Sequence, residues 1–275
     1  MSAGYRHVAL ATGSVLVGAF VLLALAAGVG VFDQALAIEV GQRLLPPSAA
    51  HWLGTDALGR DVVALIASGA RTSLGVALAS VTIGVAAGVP LGLVAAAQGG
   101  LADETLARTG DLVFAFPSLL LAVLLSAALG PGALTAIVAI GVFNVPVFAR
   151  LVRGKALSLM TRDFVLAARV AGRSRFAIAR EHLLPNVATL VVVQATIQLS
   201  LAIVAEAGLS YVGLGVQPPA ASWGRMLNEA QTLVGEAPWL AAFPGLALAL
   251  AVFGLNLLGD ALTARLAPRD ERGTP

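Results

Sequence analysis

Residues 162–186 read Arg162-Asp163-Phe164-Val165-Leu166-Ala167-Ala168-Arg169-Val170-Ala171-Gly172-Arg173-Ser174-Arg175-Phe176-Ala177-Ile178-Ala179-Arg180-Glu181-His182-Leu183-Leu184-Pro185-Asn186. Asp163 stands near the positive end of a predicted short helix and Gly172 stops that helix. Ser174 is placed to cap a second helix through Phe176, Ile178 and Ala179 towards Leu184, which Pro185-Asn186 is expected to close. Two short helices at a glycine corner make a compact projection. Its basic and apolar residues suit either docking of a partner or contact with anionic lipid, where each arginine near the surface contributes about 1 kcal/mol.

The flanks of this stretch decide the fold class. Apolar runs bounded by charge or turn residues occur at Val8–Val31, Thr72–Ala97, Leu112–Leu129, Ala133–Ala149, Val187–Ala205 and Leu240–Leu258. Each is near the roughly 20 residues that a membrane-spanning helix needs. The chain is 58% hydrophobic and 12% charged, against about 25% charged for a soluble protein, which excludes a water-soluble globule. The expectation is an all-α polytopic membrane protein with six transmembrane helices. The first run follows Arg6 and His7, as a signal peptide would, but it is longer than the roughly 7–15 residues of a signal core and reads as an uncleaved anchor. Residues 1–70 thus form an anchor and external loop, 71–262 the transmembrane core and 263–275 a short tail.

Placing the basic residues orients the chain. With a cytoplasmic N-terminus, thirteen of the seventeen lie inside, among them Arg150, Arg153, Lys155, Arg162, Arg169, Arg173, Arg175 and Arg180 in one loop. Only Arg43, Arg60, Arg71 and Arg225 fall outside, so the positive-inside rule puts both termini in the cytoplasm. This split distribution and a net charge of only +2 speak against a nucleic-acid partner. Pro90, Pro117, Pro146 and Pro244 interrupt the spans, and Gly84, Gly88 and Gly92 recur every fourth residue of the second, a pattern of close helix packing around a path.

The spans hold neutral polar groups, Asn144, Gln194, Gln198 and Asn256, in place of the mid-membrane carboxylates or histidines of an ion-driven carrier. That alternative is disfavoured. The single lysine stands in Arg153-Gly154-Lys155-Ala156 without a phosphate-binding loop, and neither HExxH nor GxSxG occurs. No catalytic residue, metal site or cofactor is expected in this chain. His51 lacks a second ligand at metal spacing and reads as an interfacial histidine.

Phe164–Gly172 followed by His182-Leu183-Leu184-Pro185-Asn186 resembles the EAA loop of ABC-importer permeases, with Ala167, Ala168 and Gly172 matching and Leu166 in the position of the motif's glutamate. Leu53-Gly54-Thr55-Asp56-Ala57-Leu58-Gly59-Arg60-Asp61, Val89-Pro90-Leu91-Gly92, Ala115-Phe116-Pro117, Ala149–Gly154, Leu214–Pro219 with Ser222-Trp223-Gly224, and Asn256–Asp260 are similar to the second permease of dipeptide, oligopeptide and nickel importers. The resemblance, from about Leu45 to Pro268, implies a type I ABC-importer permease fold. It also implies a sister permease completing the pore, two cytoplasmic ATPase subunits and an extracytoplasmic solute-binding protein. Phe164, Ala167, Ala168, Gly172, Arg173 and Phe176 would then form the ATPase-coupling loop. Peptides are the first cargo expected, with nickel chelates, opines or other small solutes as alternatives.

Three residues are candidates for the pore or outer gate: Gln198 within the fifth span, Glu206 at its mouth, and Trp223, which also suits an interfacial anchor. Asp56, Arg60 and Asp61 can cap and pair locally as an extracytoplasmic clasp, or meet the binding protein.

Overall fold

The computed structural model describes residues 3–266, so the expected tail beyond Leu266, with Arg269 and Arg272, lies outside the described residues. The described chain is helical: α1 (Ala3–Gly28), α2 (Val62–Gln98), α3 (Gly100–Phe114), α4 (Ser118–Leu129), α5 (Ala133–Met160), α6 (Asp163–Val170), α7 (Arg175–Ile178), α8 (Leu184–Tyr211), α9 (Trp223–Ala230) and α10 (Trp239–Leu266). Five helices are each long and apolar enough to cross a membrane, and a sixth span results if α3 and α4 are taken together.

The pairing of α2 with α5 is the most extensive helix contact, and the glycine repeat is its cause. A Cβ added at Gly84 would lie 2.5 Å from Asn144 Cβ, one at Gly88 2.5 Å from the Val145 carbonyl oxygen, and one at Gly92 2.5 Å from the Ala149 carbonyl oxygen. Only a bare backbone permits this approach, the small-residue packing that membrane helices use where lipid gives no hydrophobic drive to associate.

The expected third span is not straight. Leu112–Leu129 breaks between Phe114 and Ser118, and α3 meets α4 at 86°. Pro117 disfavours helical backbone at Phe116 before it, and its own ψ is 132°. Twelve-residue α4 is about 18 Å long, short of the roughly 30 Å hydrocarbon core. α3 is tied back to α5 by ion pairs, Arg153 to Asp103 and Arg150 to Asp111, and the Arg150 guanidinium lies 4.6 Å from the Phe114 ring centroid.

Other spans extend beyond their apolar runs. α2 starts at Val62 and not near Thr72, so a domain boundary at residue 71 would cut it. Asp61 caps α2 by accepting from the backbone N–H groups of Val63 and Ala64, and Val62, Ala64 and Ala67 are wholly buried. At 37 residues α2 is about 55 Å long, well beyond the roughly 30 Å of a hydrocarbon core.

Pro185-Asn186 does not close the second short helix. A π-turn at Ala179–Leu183 joins α7 to α8, making one helical rod from Arg175 to Tyr211. Pro185 falls in the first turn of α8, where an absent N–H costs least.

Candidate functional site: a projecting helix pair, an apolar cavity and a buried cap

The projection between α5 and α8 is built on a buried foot. Val165, Ile178 and Leu183 are buried, whereas Phe164, Leu166, Val170 and Phe176 are exposed, Phe176 to 76% and Val170 to 90%. Gly172 makes the corner with φ +77°, a left-handed conformation natural to glycine. The Gly172 N–H donates to the Arg169 carbonyl and the Arg173 N–H to the Ala168 carbonyl, both at 3.0 Å, closing α6 in a Schellman motif. Ser174 Oγ then accepts from the Ala177 N–H at 3.2 Å. Arg173 pairs with Glu181 at 3.3 Å, and the Phe164 ring lies 6.0 Å from His182. Ala167 is exposed and Ala168 half-buried. The outcome is a rigid knob whose outer surface is apolar with a basic surround.

A cavity of about 610 Å³ opens among α4, α5 and α8. Its walls are apolar, Ile140, Phe143, Leu201 and Leu209 among them, with Asn144 and Gln198 as its polar lining residues. Gln198 Nε2 donates to Asn144 Oδ1 at 2.7 Å, and both side chains are at most 4% exposed. Of the three pore candidates, Gln198 is the one that lines this cavity.

The other two are inside the subunit. Glu206 is wholly buried and accepts from Ser73 Oγ at 2.7 Å and Ser210 Oγ at 2.6 Å. Those hydroxyls accept in turn from the backbone N–H groups of Trp223, at 3.3 Å, and Val216, at 3.0 Å. The carboxylate therefore fixes both serines with their protons inward and ties α2, α8 and α9 together. Trp223 is also wholly buried; its indole N–H donates to the Ile66 carbonyl at 3.1 Å and its ring meets Phe20 edge to face at 5.2 Å. Neither Glu206 as a pore charge nor Trp223 as an interfacial anchor agrees with this burial. The sequence could not show that α2 begins as early as Val62 and supplies the pocket for the indole. Trp52, 76% exposed, is the tryptophan that faces outward.

Asp56, Arg60 and Asp61 sit together at the start of α2. Asp56 Oδ1 accepts from the N–H groups of Leu58 and Arg60, and its Oδ2 pairs with the Arg60 guanidinium at 2.6 Å. Asp61 holds His51 Nδ1 at 2.9 Å, and His51 Nε2 contacts Gln42 at 2.8 Å, so His51 braces the loop before α2 and is not a free interfacial histidine. Arg60 also approaches Glu229 of α9 at 3.8 Å.

A chain of helices with several membrane-length spans, a projecting helix pair and an apolar cavity has the architecture of a membrane permease. The chain belongs to the family described as binding-protein-dependent transport system inner membrane component, whose model matches residues 88–271. It is 40% identical over 257 residues to the dipeptide transport system permease protein DppC of Alkalihalophilus pseudofirmus, covering 94% of this chain and 84% of that one. It is 43% identical over 223 residues to the glutathione transport system permease protein GsiD of Pectobacterium atrosepticum, covering 81% and 74%. A chain of the MetNI methionine ABC transporter, solved in inward-facing conformations, shares the fold with TM-score 0.60 at 24% identity over 74% of this chain and 97% of that one. This protein is accordingly an ABC-importer permease subunit.

Proposed function

We propose that the chain forms half of a peptide-translocating pore, paired with a sister permease, driven by two cytoplasmic ATPase subunits and loaded by an extracytoplasmic binding protein. The observation that carries the reading is the knob: four large apolar side chains held outward by a buried foot and a glycine corner, on a subunit without its own ATP site. Exposed apolar surface of this kind marks a partner interface. The rod from Arg175 to Tyr211 gives the knob a direct mechanical link to Gln198 in the cavity wall, so a push from the ATPases becomes a rigid-body displacement of that wall. The sequence motifs and the dipeptide and glutathione relatives favour peptides as cargo. The excess of arginine around the knob favours cytoplasmic termini, with the Asp56–Asp61 cap outside, facing the binding protein.

The test is reconstitution of the chain with its neighbouring permease, ATPases and binding protein in liposomes. Di- and tripeptides should stimulate ATP hydrolysis and accumulate inside. Stimulation by a nickel chelate with no response to peptides would overturn the cargo assignment, and uptake driven by an ion gradient without ATP would overturn the mechanism.

A further inference from the structure

The cavity holds an unfinished hydrogen-bonding pair. Asn144 Nδ2 is the one buried side-chain polar atom found without a partner among the described residues, although the residue is only 4% exposed. Its neighbour Gln198 spends Nε2 on Asn144 Oδ1, and Gln198 Oε1 accepts no hydrogen bond among the described residues. The pair thus offers one free donor and one free acceptor. Exchanging oxygen and nitrogen in both amides leaves the same inventory, so it does not depend on how either was assigned. Asn144 is held from behind, its Cβ packed on the bare backbone of Gly84, and no charged side chain lines the cavity.

A buried donor left without an acceptor is costly, and membrane interiors satisfy their polar groups wherever a partner exists. The cavity size lies within the roughly 300–1,000 Å³ of small-molecule sites, which are typically apolar with a few placed polar groups. One donor beside one acceptor is the complement of a single peptide group, which presents N–H and C=O. We propose that the Asn144–Gln198 pair is where the permease reads the peptide bond of its cargo. Gln198 Oε1 accepts the peptide N–H, and Asn144 Nδ2 donates to the peptide carbonyl. Nδ2 is covered in this conformation; turning the Asn144 amide about χ2, a broad torsion, exposes it and at the same time frees its Oδ1 from Gln198 Nε2, so the pair opens as the peptide group takes its place. A neutral pair ignores the side chains and charged termini, so the contact suits a path that passes many peptides and retains none. The proposal rests on the peptide cargo proposed above.

The experiment uses the complete reconstituted importer and compares a dipeptide with its analogue N-methylated at the peptide bond, each delivered on pre-loaded binding protein. The same binding protein serves every variant, so changes in the ratio of rates originate in the permease. Wild type is expected to import the analogue about tenfold more slowly, the order of one lost hydrogen bond. Gln198→Met should bring the ratio to within about twofold, whereas Asn144→Asp should slow both compounds and preserve it. Equal import of the two compounds by wild type overturns the proposal without needing any variant. An unchanged ratio in assembled Gln198→Met also overturns it, and leaves a structural pair or a contact to the sister permease. If wild type moves no peptide but moves another solute, the cargo assignment has failed, a result distinct from both.

Discussion

The cap around α9 and the knob of α6 and α7 are built from similar material and held in opposite ways. Around α9, polar and aromatic groups are turned inward: Glu206, Ser73, Ser210 and Trp223 are all buried and bonded across three helices. A Cβ at Gly224 would lie 2.4 Å from the Ala207 carbonyl oxygen, so α9 is seated on α8 as closely as backbone allows. In α6 and α7 the bonds are mostly internal, and the large apolar side chains are turned outward. Arg175 to the Gln98 carbonyl at 3.4 Å is a weak tie from the knob to α2. The cap is closed on itself, whereas the knob leaves large apolar side chains uncovered.

This contrast can be broken from its strong side first. Trp223→Ala empties a fully enclosed pocket and should destabilise the subunit by about 3–5 kcal/mol, read as a fall in the thermal midpoint of the purified complex. Glu206→Gln should cost about 1–3 kcal/mol in the same assay. Ser73 and Ser210 each accept a backbone N–H and direct their protons to the carboxylate, and an amide supplies only one oxygen for those two protons. Phe176→Ala, at the exposed end of the knob, should change stability by less than about 0.5 kcal/mol but lower cargo-stimulated ATP hydrolysis and retention of the ATPases on purification. A loss of stability there as large as that of Trp223→Ala would erase the distinction between closed and uncovered surfaces.

The knob was readable because its signals are local. Asp163, Gly172 and Ser174 act on their own neighbourhoods, and a glycine with φ +77° announces itself in sequence. The glycine repeat of α2 was likewise legible as close packing, although its partner on α5 was not. Long-range burial was out of reach: Glu206 and Trp223 carry the residue types of a pore charge and an interfacial anchor, and only the contact of α9 with α2 turns them inward. Hydropathy placed the start of α2 ten residues late because exposed Arg71 reads as the end of an apolar run, whereas the apolar stretch Val62–Ala70 before it continues the same helix and is packed against protein. Pro117 was noted as an interruption, but an 86° change of direction depends on the surfaces that receive α3.

The π-turn at Ala179–Leu183 has a rotational consequence. Such a turn houses one residue more than α-helix needs, and one residue corresponds to about 100° of azimuth. The extra residue therefore sets the compass bearing of Phe176 and its neighbours about the long axis of α8 without disturbing the lipid and cavity faces above. Knob and span can be dialled against each other by a single insertion or deletion, which lets the exposed face of the knob turn while the cavity wall stays in phase.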